Sequence, residues 1–170
     1  MDIRLEKNLC GWGLVSSVLL SFIPCLGVFF SLAGLIAYIV GIFMLSKKLN
    51  PDILKNFVLS VVTFIIPMII LYISLIVISF AKIESTDFVY FMPFVVGLIF
   101  YIGALISAHF SRKYLEIIYQ STGHKTFDYA AKGVFWGTIA LILPSLIGWI
   151  IAMVGFLTLP DYIENQNTST

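Results

Sequence analysis

His124 and Asp128 stand four residues apart, with Lys125 between them, in the segment STGHKTFDY. A histidine close to a carboxylate is a common start for a general base or a metal site. The remaining parts of either machinery are missing. No nucleophile lies near this pair, and His109 is the only other histidine. There is no H-E-x-x-H and no paired Cys/His spacing. These are expected to be solvated loop residues. Cys10 and Cys25 are separated by roughly 22 Å if the chain between them is helical, beyond disulfide reach. They read as small apolar residues. No catalytic, cofactor-binding or metal-binding residue is therefore expected.

Chemistry inside a membrane would need other residues, and the sequence withholds those too. All nineteen Asp, Glu, Lys and Arg residues fall outside the long apolar runs. Proton relays, ion-coupled carriers and voltage sensors depend on intramembrane charge. Two prolines offer a different route. Pro67 and Pro144 fall in the middle of apolar runs, where proline frees the carbonyl four residues earlier. Those carbonyls belong to Thr63 and Ala140, with Ser60 and Ser145 close by. A permeation path near Pro67 and Pro144 is the alternative to a simple kink.

The elements that would hold these residues follow from composition. The chain has 170 residues, 60% hydrophobic and 11% charged, with a net charge of +1. Its mean hydropathy is +1.04. Soluble domains carry about 25% charged residues, so these residues fit a bilayer rather than water. Neither nucleic acid nor an acidic substrate suits such a charge balance. Charge-free intervals cover 8–46, 56–81, 88–111 and 133–160. They do not alternate polar with apolar, as barrel strands would, so helices are expected. MDIRLEKN resembles the basic start of a signal peptide, but no small-residue cleavage site follows. The segment is expected to be retained.

The first interval is too long for one crossing. Cys10–Leu45 would make about 54 Å of helix, against about 30 Å of hydrocarbon. Pro24 and Gly27, in SFIPCLG, mark the expected turn. The lysines and arginines then divide cleanly. Arg4, Lys7, Lys47, Lys48, Lys55, Arg112, Lys113, Lys125 and Lys132 fall on one side, and only Lys82 on the other. The expected fold is an all-α, integral membrane five-helix bundle in a single domain, 1–170. Its spans are about 8–23, 27–45, 57–80, 88–108 and 134–159, with the first two forming a tight hairpin. A short cytoplasmic helix over 111–122 follows the fourth, ending at Gly123. The N-terminus is placed in the cytoplasm and the C-terminus outside the cell membrane. Segment 8–23 is short for a crossing, about 24 Å, and a re-entrant hairpin there is the alternative.

Two further sets of residues bear on partners. Lys47, Lys48, Arg112 and Lys113 are placed to meet anionic lipid headgroups. Ala33, Ala37 and Gly41, and Gly133 with Gly137, recur every four residues, a spacing that lets helices approach closely. That packing serves the bundle itself, a homo-oligomer or a partner membrane subunit.

Two segments carry a family resemblance. LSKKLNPDILKNFVLSVV (Leu45–Val62) and YLEIIYQSTGHKTFDYAAKG (Tyr114–Gly133) resemble the loops of a group of small prokaryotic, largely archaeal, membrane proteins. SFIPCLG is similar to that group's proline and glycine break. The group is catalogued as domain of unknown function 996. The resemblance implies the multi-span architecture and supplies no activity. The function expected is a non-enzymatic structural, interaction or accessory role. The alternative is a small permease or channel acting as an oligomer.

Overall fold

The computed structural model describes residues 2–18, 27–80, 86–140 and 143–161. It is mostly helical. The six helices are α1 (Arg4–Val18), α2 (Gly27–Lys48), α3 (Asp52–Phe80), α4 (Thr86–Thr122), α5 (Thr126–Ile139) and α6 (Leu143–Thr158). Stretches of α2, α3 and α4 are long and apolar enough to cross a membrane. The expected turn at Pro24 lies outside the described residues, and Gly27 opens α2.

Consecutive helices pair as three antiparallel hairpins. Glycine sets the contact in each, because backbones approach where no Cβ intervenes. In α1–α2, a Cβ on Gly34 would lie 2.5 Å from the Ser17 nitrogen, and one on Gly41 would lie 2.7 Å from the Cys10 sulfur. In α3–α4, the Pro67 ring fills the notch at Gly103. Below that notch the Ser60 hydroxyl lies 2.7 Å from that of Ser111, and Ser107 donates to the Ser60 carbonyl at 2.9 Å. In α5–α6, Gly133 and Gly148 meet backbone to backbone.

Local chemistry sets several ends. The Asn50 side chain accepts the Asp52 N–H at 2.8 Å, capping the start of α3 after Pro51. Gly123 ends α4 with φ 69°, a left-handed conformation that favours glycine. Its N–H donates to the Tyr119 carbonyl at 2.7 Å.

Two expectations are corrected. The apolar stretch 134–159 is not one helix. It belongs to α5, which ends at Ile139, and α6, which begins at Leu143, and the two pack antiparallel. A proline lacks the N–H that a helix interior uses but suits a first turn, and Pro144 stands in the first turn of α6. The glycine pair then lets the two halves close together. Among the described residues six helices thus stand in place of the expected five. The second correction concerns the ends of the chain. The Ile3 N–H donates to the Asp161 carbonyl at 2.9 Å. Lys7 donates to the Leu159 carbonyl at 2.6 Å and pairs with the Asp161 carboxylate at 2.5 Å. That hydrogen bond holds the Asp161 carboxyl below its ordinary range. Asp161 therefore lies at the same end as the N-terminus, not opposite it. The count of positive charges could not detect this, because no Lys or Arg follows Lys132.

The buried core gathers in the half of the bundle that carries the charged loops. Ile3, Cys10, Tyr38, Ile42, Leu45, Ile53, Phe57, Tyr114, Leu115, Ile118, Phe127 and Phe156 are all buried there. Farther along α3 the apolar side chains are exposed, from Phe64 and Ile65 to Tyr72 and Val77. The α3–α4 hairpin therefore extends beyond the shorter helices. By rise per residue α3 is about 44 Å long, whereas α1, α5 and α6 are about 21–24 Å.

Candidate functional site

The interior of the charged half centres on aromatic rings from five helices. Tyr38 of α2 meets Phe57 of α3 and Phe156 of α6, with centroids 5.7 and 6.1 Å apart. Phe57 meets Tyr114 of α4 at 5.7 Å, and Phe156 meets Phe127 of α5 at 4.9 Å. All four pairs are edge-to-face, a geometry worth about 0.5–1.5 kcal/mol each beyond area burial. The two phenols face each other with 2.9 Å between hydroxyl oxygens. Each is the other's hydrogen-bond partner within the ring cluster. Tyr38→Phe is expected to cost about 1–3 kcal/mol, because it strands the Tyr114 hydroxyl. Adding Tyr114→Phe should recover most of that loss. Unfolding by denaturant in mixed micelles measures both, and a double variant weaker than either single would refute the pairing.

Next to this core lies a buried carboxylate. Glu6 is buried and pairs through Oε1 with Lys48 Nζ at 2.6 Å. Lys48 also donates to the Asp2 carbonyl at 2.7 Å. Glu6 Oε2 has no hydrogen-bond partner in the structure. This pair ties the start of α1 to the end of α2, while Lys7 ties α1 to the end of α6.

An open groove of about 400 Å³ runs along the outer side of α1 and α2. It is lined by Leu5, Asn8, Leu9, Trp12, Gly13 and Ser16 of α1, and by Phe30, Ala33, Gly34 and Ala37 of α2. Ala33 and Ala37, expected as packing residues, stand here with Ala33 exposed and Ala37 half-buried. Packing between α1 and α2 is made instead by Gly34, Tyr38 and Gly41, the neighbouring row of the same helix. On α5, Gly133 contacts Gly148 and Gly137 is buried.

The other expected residues are placed as follows. Lys47 lies 4.2 Å above the Phe43 ring. Arg112 pairs with Glu116 at 2.6 Å and stands over Phe135. Lys113 stands 5.8 Å from the Phe110 ring centroid. His124 and Asp128 do not form a pair: Asp128 binds Lys132 at 2.7 Å, and the His124 ring meets Phe127 edge-on. Among the described residues no three His, Cys, Asp or Glu side chains cluster as a metal site would require. Pro67 packs on Gly103, whereas Pro144 belongs to the first turn of α6, in a different hairpin. Neither Glu6 nor the tyrosine pair stands out in the sequence. Glu6 was legible only as one charge among several near the N-terminus. The i, i+4 spacing of Glu6 and Cys10 was the available sign that one apolar face includes a carboxylate.

Paired helices of this kind, three of them long and apolar enough to cross a bilayer, are compatible with a helical membrane protein. The chain belongs to the family described as protein of unknown function DUF996, whose profile matches residues 30–157. It is similar to the uncharacterized protein MJ1644 of Methanocaldococcus jannaschii. The two are 29% identical over 178 aligned positions, which cover 98% of each chain. No solved structure matches the chain.

Proposed function

We propose that this protein is a non-enzymatic, multi-pass membrane protein with a structural or interaction role, alone or as an accessory subunit. The observation that carries this reading is the filled interior of the charged half. Five helices contribute rings to one edge-to-face cluster, and the two phenols in it satisfy each other. The alternative permease path near Pro67 and Pro144 gains no support from Pro67, whose ring is wedged against Gly103. Reconstituted protein is expected to leave proteoliposomes as tight to ions and small solutes as empty vesicles. Flux that rises with protein content would overturn the reading.

The charged half faces the cytoplasm in this proposal, following the nine-to-one division of Lys and Arg. The first expected span, 8–23, and helices α2, α3 and α4 make four crossings, and α5–α6 enters from the cytoplasmic side and returns, so both ends of the chain lie on that side. Depth supports the return. Tyr101 of α4 donates to the Ile139 carbonyl, at the turn of that hairpin, at 3.0 Å. Tyr101 stands eleven residues, about 16 Å, along α4 from Arg112, which is about half of the hydrocarbon thickness. Backbone that turns inside lipid must have its polar groups satisfied by protein, and the Tyr101 hydroxyl does this. Lys125→Cys and Asp161→Cys are expected to react with an impermeant thiol reagent from the cytoplasmic side alone. Labelling of Asp161→Cys from outside would refute the returning hairpin.

A further inference from the structure

We propose that the α1–α2 groove seats one hydrocarbon chain of an anionic phospholipid of the surrounding bilayer, with its headgroup at Arg4. The inference rests on the membrane reading above and adds a ligand to it. Helix α1 has three sides in use. Gly11 and Lys7 face α6, Cys10 and Gly13 face α2, and Leu5, Leu9, Trp12 and Ser16 form the groove. The groove therefore opens outward, away from the packed core. Its α2 wall is low because Ala33 and Ala37 carry only a methyl group.

The dimensions suit a single hydrocarbon chain. From Leu5 to Ser16 the groove follows α1 for about 16 Å. A volume of about 400 Å³ over that length gives a cross-section of about 25 Å². Charge complementarity supplies the other end of the ligand. The antiparallel pairing brings the start of α1 beside the end of α2, where Arg4, Lys47 and Lys48 stand. Lys48 is committed to Glu6 and the Asp2 carbonyl. Arg4 is 74% exposed and meets Asp161 only at 3.9 Å. It precedes Asn8 by one turn, on the flank that continues into the groove. A guanidinium there can bind phosphate through two N–H groups, and basic clusters beside cytoplasmic helix ends attract anionic headgroups.

Native mass spectrometry of protein drawn from vesicles with equal phosphatidylglycerol and phosphatidylcholine tests this. Wild-type protein is expected to retain one phosphatidylglycerol. Ala33→Phe with Ala37→Phe, which fills the groove, should cut retained lipid at least fivefold. Ile66→Phe, on the exposed side of α3, should leave it unchanged. Arg4→Gln should keep a bound lipid but lose the preference for phosphatidylglycerol. Undiminished retention by the filled-groove variant would overturn the proposal. Oxidative cross-linking of two Ala33→Cys chains would also overturn it, by showing a second copy over the groove. Alkaline carbonate extraction separates this failure from that of the membrane reading: release of the wild-type chain would defeat the latter.

Discussion

Gly148→Leu is expected to separate α5 from α6 and to cost at least about 3 kcal/mol. A Cβ at position 148 would meet the Val134 nitrogen, and would lie 2.5 Å from the Gly133 carbonyl carbon and 2.8 Å from the Val134 Cα. These are backbone atoms of a regular helix, so no rotamer change relieves the clash. Overpacking a well-fitted interface costs about 1–3 kcal/mol even where side chains can yield, and this contact leaves less room. Release of α6 also disturbs Phe156, Leu159 and the Lys7–Asp161 tie, so the loss spreads to α1. Gly97→Ala is the matched control. A Cβ there meets nothing within 4 Å, and alanine favours a helix over glycine by up to about 1 kcal/mol. Denaturant unfolding in mixed micelles should show a large loss for the first variant and none for the second. Equal stability of the two would remove the Gly133–Gly148 contact as the hinge of the fold.

This contact also shows how far the sequence could be read. Hydropathy located α2, α3 and α4, because lipid demands long charge-free runs and these helices supply them. It also marked 134–159 as apolar, but apolarity does not distinguish one crossing from two half-length helices. Pro144 and the Gly133–Gly137 pair bore on that choice. Both had an ordinary alternative, a kink and a packing motif. The small-residue pattern on α2 shows a different limit. Ala33, Ala37 and Gly41 share a spacing, yet α1 packs on the row through Gly34, Tyr38 and Gly41. Periodicity gives the rows of a helix, and only the partner decides which row is covered. The tyrosine pair was harder still. Tyr38 and Tyr114 are 76 residues apart, and no local pattern joins them.

Lys48→Met is expected to be the most damaging single change among the charged residues, at about 3–5 kcal/mol. Its partner explains why. The Glu6 side chain is 2% exposed, whereas that of Lys48 is 40% exposed. Loss of the lysine leaves a buried carboxylate with neither oxygen paired, and removal of one partner from a buried pair carries the whole desolvation penalty. Loss of the acid is different. Glu6→Gln leaves an ammonium that water already reaches and that still donates to the Asp2 carbonyl, so about 1 kcal/mol is expected. The two effects should not add. Lys48→Met with Glu6→Leu replaces both charges by apolar groups of similar volume, which is often nearly neutral. The double variant is expected within about 1 kcal/mol of wild type, far above Lys48→Met alone. Unfolding of all three variants in mixed micelles gives the coupling directly. If Lys48→Met proved as mild as Glu6→Gln, Glu6 would have to be solvated, and the tie between α1 and α2 would rest on the glycine contacts alone.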